Sequence, residues 1–570
     1  MENRVDFDAV IVGSGFGGSV MAYRLAAEGL RVCVLERGKA YPPGSFPRSP
    51  HAFARNFWDP SEGLQGMFDI WSFKGAEAVV SSALGGGSLI YANVLIRKPP
   101  EWFVDRDPET GREMPWPVTR ADLDPHYEKV EKILNGQTFP LESDAFKIPK
   151  TIALKWAAEQ LGLQWYLPKL AITFANDGEA PATGQLIKQD YPNLHNAQRS
   201  TCRLCGECDI GCNFGSKNTL DYNYLSLAKL KGADIRTLHE VRSFRPREGG
   251  GYEIDFVIHD PANEGRKTAT RQFPIQTFTA RRLVLSAGTL GSTYLLLKNR
   301  AAFPRISERL GQRFSTNGDL LTFAVRCSEG IDGKRPRALD PSHGPVITST
   351  IHDAGGVSGD PYSGFYLQDA GYPEFMNWIV EMSDAPGHIE RFAKFLWHRL
   401  EDSITNEPQD EISEQIVGLL GPCRLSNGTM PLLGIGRDIP DGVMGLRQGR
   451  DGQEYLQVDW RNIRSAPYFK WVSDVSRRIA EKLGGKFVQN PDTQYLNRLV
   501  TVHPLGGCSM GRTAADGVVD HFGQVFNYEG LYISDGSVMP GPTGSNPSLT
   551  IAALADRFAD HLLGTFDGNG

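Results

Sequence analysis

The run "FDAVIVGSGFGGSVMAYRLAAEGLRVCVLERG", residues 7–38, leaves the start of this chain few folds to choose from. Val10, Ile11 and Val12 form a short apolar stretch suited to a buried strand. Gly13, Gly15 and Gly18 follow in G-x-G-x-x-G spacing, and a helix with apolar Val20, Tyr23 and Leu25 comes next. A second strand, "RVCVLE", ends at Glu36. Gly13 permits a tight turn, Gly15 lets backbone approach a pyrophosphate, and Gly18 allows close helix–strand packing. Glu36 stands where an acid takes ribose hydroxyls. The run therefore predicts a dinucleotide site on a Rossmann-like sheet, with a turn of purely structural purpose as the alternative.

That fingerprint alone does not choose between NAD and FAD. The second glycine run, "SSALGGGSLIYANVLIRKPP", decides for FAD. Gly85, Gly86 and Gly87 lack any Cβ, so their amides can lie against a flat or anionic ligand. Ser88, Tyr91 and Asn93 follow, and the apolar residues around them argue for a fixed position rather than a flexible loop.

Near the C-terminus stand "TVHPLGGCSMG" and "GLYISDGSVMPGPTGSNPSLTIAALADRFADHLL". Asn546 and Pro547 read as N-cap and first residue of a helix running to about Leu562. A helix N-terminus carries partial positive charge and free amides, which suits the anion that builds up on a reduced flavin. His503, Asp535 and Gly536 are the other residues of interest; a lone histidine more often serves structure than chemistry.

At 570 residues the chain is too long for one compact core, so two domains or a large two-part fold is expected. Its 60 basic and 67 acidic residues give a net charge of −7, which leaves no footprint for nucleic acid. No stretch reaches the length of a transmembrane helix. "MENRVDFDAV" has neither an apolar signal region nor a twin arginine, so a cytoplasmic protein is expected. In that compartment clustered cysteines lean towards metal or redox chemistry rather than disulfides.

Taken together, these pieces resemble the glucose–methanol–choline (GMC) oxidoreductases, their cholesterol oxidase branch in particular. The matching runs are the N-terminal fingerprint, "GGGSL", "WPVTRADLDPHYEKVEKIL", "RLVLSAGTLGSTYLL" and the stretch from His503 to Arg557. The resemblance implies an α/β fold: a Rossmann-like FAD-binding domain of GMC topology, and a discontinuous substrate-binding domain built on a β-sheet. The expected FAD domain comprises residues 1–45, 78–130, 228–312 and 498–570. Residues 131–227 and 313–497 are expected to build the substrate domain, and 46–77 a covering lid or an ordinary hydrophobic wrap. The resemblance also implies that His503 and Asn546 are catalytic, as is Glu381 in "WIVEMSDAPGHIE", for which a mere surface carboxylate is the alternative. To FAD it assigns Gly13, Ser14, Gly15, Phe16, Gly17, Gly18, Glu36, Arg37, Gly86, Gly87, Ser88, Tyr91, Asn93, Val94 and Val241. Ala287, Gly288, Asp535, Gly536, Asn546, Pro547 and Ser548 complete that set. Tyr91 stands where many members have asparagine, and Ala92 where they have glycine. "IERFAKFLWHRL" puts Phe392, Phe395, Leu396 and Leu400 on one helical face, read as core packing rather than a membrane contact.

"STCRLCGECDIGCN" packs Cys202, Cys205, Cys208 and Cys212 into eleven residues with ferredoxin-like C-x2-C-x2-C-x3-C spacing. Asn213 follows where two-cluster ferredoxins usually have proline. An iron–sulfur cluster is expected, either 4Fe–4S on all four or a smaller 3Fe–4S on three. Zinc, a bare thiol cluster and disulfides are the rivals, and Cys327 or Cys423 is a weaker candidate ligand. Some GMC dehydrogenases carry such a cluster just ahead of a "GAK"-like turn, which "FGSKNTLDYNYL" resembles. The expected activity is FAD-dependent oxidation of a hydrophobic, sterol-like or other bulky alcohol, with electrons leaving through the cluster to an external one-electron acceptor, protein or quinone. The aromatic supply around Phe365, Tyr366, Phe375 and Trp378 fits such a substrate. An oxygen-using oxidase with a structural metal or none is the nearest rival. A non-redox flavin lyase or isomerase is the next, and a binding or sensing protein the last.

Overall fold

A computed structural model describes residues 5–107, 109–329, 335–355, 358–374, 376–377, 424–449, 452–460, 462–490, 493 and 498–567. Glu381, Phe375, Trp378, Cys423 and the "IERFAKFLWHRL" run lie outside the described residues. The fold is mixed α/β.

The first apolar run forms the strand Phe7–Val12, whose last four residues are buried because helices cover its sheet. Helix Phe16–Ala27 follows, then strand Val32–Leu35. Strands Asp234–Arg236, Val32–Leu35, Phe7–Val12 and Gln276–Leu285 pair in parallel in that order. The C-terminal half of Gln276–Leu285 also takes Leu531–Ile533 as a parallel partner, so distant parts of the chain share one sheet. Its N-terminal half pairs antiparallel with Tyr252–Ile258, which in turn pairs with His239–Pro246. Helix Ser548–Asp567 packs against both Phe16–Ala27 and Arg120–Leu134. Thr119 and Asp122 start the latter helix with a capping box.

The C-terminal helix begins one residue later than its sequence suggests. The Pro547 carbonyl accepts the Ile551 amide at 2.9 Å, which makes Pro547 the capping position. Asn546 is not the N-cap, because its side chain is engaged elsewhere.

A second sheet is six-stranded and antiparallel, in the order Gln164–Tyr166, Thr350–Asp353, Phe365–Asp369, Met430–Gly436, Leu320–Val325 and Lys486–Gln489. Side chains alternate across it. Phe365 and Leu367 join the core formed with helices Pro149–Leu161 and Ala466–Lys482, while Tyr366 belongs to a separate core on the other face. Gln368 shares that other face. Residues 46–77 carry helix Pro50–Ala54 and strand Phe68–Ser72, which pairs with Ala76–Ser81. Phe46, Met67 and Phe68 bury against Leu89 and Ile210, joining this segment to the second glycine loop and the cysteine run.

Candidate active site

The glycines of the N-terminal run meet three other segments, the 286–287 turn, Ser534 and the second glycine loop. A Cβ on Gly17 would collide with the Ser534 carbonyl, and one on Gly86 would press on Gly15, so both glycine loops and the 534–536 turn converge here. Ser14 fastens the arrangement: its hydroxyl donates to Glu36 Oε2 at 2.6 Å and accepts the Gly85 amide at 3.0 Å. Phe16 and Tyr91 meet edge to face with centroids 5.4 Å apart. Gly15 and Gly87 behave differently, because a Cβ at either would meet nothing within 4 Å. Open space next to otherwise crowded glycines marks where a ligand would lie.

Glu36 is buried, accepting from Ser14 and, at 2.8 Å, from the Gly38 amide. Burial pushes its carboxyl above the usual range, against the pull of those donors. The His239 amide reaches the Glu36 carbonyl at 2.9 Å, which brings Val241, two residues on, to the same end of the sheet. Arg37 turns away to Asp69 at 2.6 Å. Ala287 begins the helix Gly288–Lys298, and its amide reaches Ser292 Oγ at 3.0 Å. Asp535 accepts from Ser292 Oγ and from the Ser537 hydroxyl, each at 2.5 Å, holding Gly536 between them. Burial raises this carboxyl as well.

FAD's fit can be tested on orphaned polar atoms. Both side-chain atoms of fully buried Asn93 lack a partner, as do Ser534 Oγ, Ser545 Oγ, Ser548 Oγ and the Tyr91 hydroxyl. Asn93 holds a left-handed backbone at φ 70° and offers its own carbonyl to Ala171, at the end of the short strand Val94–Leu95. Buried polar groups rarely stay unpaired. A polar ligand spanning from the glycine loops to the start of helix Ser548–Asp567 would satisfy this set, and the residues fit a dinucleotide.

Around that helix start, candidate side chains come from separate segments linked through residues 317–319. His503 Nδ1 lies 2.8 Å from Asp319 Oδ1, and Asp319 Oδ2 accepts from the Val502 amide and the Thr501 hydroxyl. Asp319 is almost wholly buried and, as a carboxylate, accepts, so in the neutral imidazole Nδ1 carries the hydrogen and Nε2 the lone pair. Asn546 pairs with Gln368: Gln368 Nε2 donates to Asn546 Oδ1 at 2.9 Å, and the return bond measures 3.4 Å. Asn546 Nδ2 therefore retains a second hydrogen for another acceptor.

Asn317 braces the segment just ahead, its Oδ1 accepting the Gly544 amide and the Thr543 hydroxyl and its Nδ2 reaching the Ser545 carbonyl. Lys98, fully buried under the Trp116 ring, donates to the carbonyls of Pro542 and Thr543. Asp319, Gln368, Asn317 and Lys98 escape sequence reasoning. Only the Asn-Gly pair at 317–318 hints at a turn, and nothing local says what that turn holds.

Cys202, Cys205, Cys208 and Cys212 are free thiols lining one small cavity. Burial raises the thiols of Cys202, Cys205 and Cys208. Among the described residues, His126, Asp556 and Asp560 form the one group of three such ligand atoms lying within 4.8 Å of each other. No three of the four thiols therefore lie within 4.8 Å of one another, and among the described residues the cysteines form no compact ligand group. Asn213 exchanges two 3.0 Å bonds with the backbone of Phe46, securing the run where a ferredoxin has proline.

Comparison with known proteins agrees with this geometry. The C-terminal model of the GMC oxidoreductases matches residues 459–555, and an NAD(P)-binding Rossmann-like model matches residues 11–44. A cholesterol oxidase of Mycobacterium tuberculosis is 30% identical over 97% of this chain and 90% of its own length. One from Acinetobacter baumannii is 28% identical over 98% and 95%. The crystal structure of pyridoxine 4-oxidase from Mesorbium loti shares the fold, with a TM-score of 0.54 at 16% identity, covering 98% of this chain and 99% of that one. With a converged glycine cradle, a braced histidine and a relative matched along nearly its whole length, the chain belongs to the GMC oxidoreductases, FAD-dependent enzymes that act on CH–OH groups.

Proposed function

We propose that this enzyme oxidises the hydroxyl of a hydrophobic alcohol, sterol-like or similarly bulky. Bound FAD supplies the hydride acceptor at N5. The observation that carries this reading is the Asp319–His503 pair, on a segment whose Asn317 is bonded to the Ser545 carbonyl just ahead of Asn546. His503 Nε2, its lone pair fixed by the Asp319 bond at Nδ1, takes the hydroxyl proton as hydride leaves the carbon. The free hydrogen of Asn546 Nδ2 holds the alcohol oxygen, and Gln368 keeps that amide from turning. The substrate class rests on the cholesterol oxidase relatives; of the two aromatics, Tyr366 shares the Gln368 face of the sheet, whereas Phe365 packs into the core behind it. For Glu381 we keep the role of an auxiliary base. Residues 1–45, 78–130, 228–312 and 498–570 would form the FAD domain, 131–227 and 313–497 the substrate domain, and 46–77 its cover.

We further propose that Cys202, Cys205, Cys208 and Cys212 hold an iron–sulfur cluster. Four free thiols lining one cavity, in C-x2-C-x2-C-x3-C spacing, support it. Such a cluster supplies a one-electron outlet to an external acceptor. The relatives named as oxidases favour a second reading, in which oxygen is the acceptor.

His503→Ala and Asn546→Ala should each slow anaerobic bleaching of the flavin by alcohol about a hundredfold or more while FAD stays bound. Near-normal bleaching in His503→Ala would remove it from the mechanism. Stoichiometric hydrogen peroxide under air, from iron-free protein, would decide for the oxidase.

A further inference from the structure

Lys217 is fully buried and lines the four-thiol cavity. Its Nζ donates to three carbonyls, those of Leu89 at 3.0 Å, Tyr91 at 2.9 Å and Cys208 at 2.9 Å. Three acceptors match the three hydrogens of an ammonium, whereas a neutral amine has two. Its charge also lies 4.9 Å above the Tyr91 ring. Two of its bonds thus go to the second glycine loop, beside orphaned Asn93, and the third to a cysteine carbonyl. Among the described residues no carboxylate pairs with it directly. Asp209 and Asp221 act on it at longer range, and Asp221 is already taken by His195 at 2.7 Å. A buried cation without a close counter-ion is costly. Thiolates holding a cluster would bring net negative charge to its side of the cavity. Lys150 has a similar build, donating to the carbonyls of Pro345, Val346 and Ala370.

We infer that Lys217 is a positioning residue that couples the two sites, its one ammonium balancing the charge of an occupied four-cysteine cavity and clamping the flavin-side loop at Leu89 and Tyr91. This rests on the cluster reading above. Removing a positive charge beside an iron–sulfur centre makes its reduction harder, because the reduced form carries more negative charge.

The test uses full-length protein prepared anaerobically, assayed for iron and sulfide, titrated for midpoint potential by electron paramagnetic resonance, and followed for release of FAD by fluorescence. Lys217→Met should shift the potential of the centre to more negative values and weaken FAD retention tenfold or more, whereas Lys217→Arg should keep the potential near that of the unaltered protein. If Lys217→Met does not accumulate, Lys217→Gln, which keeps two N–H donors without the charge, carries the same expectation. Iron present, with potential and FAD retention unmoved in the uncharged variant, would overturn the coupling and leave the cluster reading standing. Iron-free unaltered protein would overturn both.

Discussion

Single residues at this site sort by what already surrounds them. Gly15 and Gly17 stand two residues apart, yet a Cβ on Gly15 enters open space and one on Gly17 enters the Ser534 carbonyl. Gly15→Ala should therefore leave the melting temperature of flavin-free protein within a degree or two while sharply lowering retained FAD, and Gly17→Ala should yield little folded protein. Equal damage from both substitutions would show that Gly15 is structural. Asp319 invites a second comparison. Asp319→Asn presents an amide to His503 Nδ1 that can impose the wrong ring tautomer, so flavin bleaching should slow about a hundredfold or more at unchanged FAD content. Unchanged bleaching would mean that the lone pair on Nε2 does not depend on this partner. The candidates His503 and Asn546 can be picked from the sequence because each lies in a local motif. Asp319 and Gln368 were not, because each reaches its partner only through the tertiary fold, from 184 and 178 residues away.

Elements were more legible than contacts, since periodicity and glycine spacing are local. The strand–glycine–helix–strand start appears as predicted, and the C-terminal helix appears with its start one residue late and its end at Asp567 rather than Leu562. Which elements would pack together was not legible. Helix Ser548–Asp567 is held through Asp556, almost fully buried, which pairs with Arg24 of the fingerprint helix and with His126 Nδ1 at 2.7 Å from helix Arg120–Leu134. Burial works against the Asp556 carboxylate, but the His126 hydrogen bond and the Arg24 and Lys129 charges outweigh it, and its pKa falls below the usual range. A carboxyl depressed in the folded state adds stability that is present above about pH 4 and is lost as pH drops further. Asp556→Ala should cost about 3 kcal/mol at neutral pH, because it strands Arg24 and His126 among buried neighbours. Asp556→Asn should flatten the decline of melting temperature below pH 4. An acid limb as steep as that of the unaltered protein would shift the acid sensitivity to other carboxylates.

Over the whole molecule, the chain passes repeatedly between its two large sheets, and charged or polar side chains fasten them at each crossing. Lys98 holds the 542–543 carbonyls, Asn317 holds the 543–545 backbone, and Arg437 donates to the carbonyls of Pro361 and Val104. Gln368 and Asp319, both at strands of the six-stranded sheet, hold Asn546 and His503. These ties are buried, so separating the sheets would expose unpaired polar groups on both sides. The parallel sheet cannot persist alone either, because Leu531–Ile533 and helix Ser548–Asp567 follow the six-stranded sheet in sequence and complete the first one. Proteins of this length often melt in stages, but this wiring argues for a single transition. Scanning calorimetry should show one peak in protein stripped of FAD. Adding FAD should move that whole peak upwards, with about 2.7 kcal/mol gained at a hundredfold excess over the dissociation constant. Two peaks, of which FAD moves only one, would mean that the sheets unfold independently and that the buried ties between them do not carry enough energy to couple them.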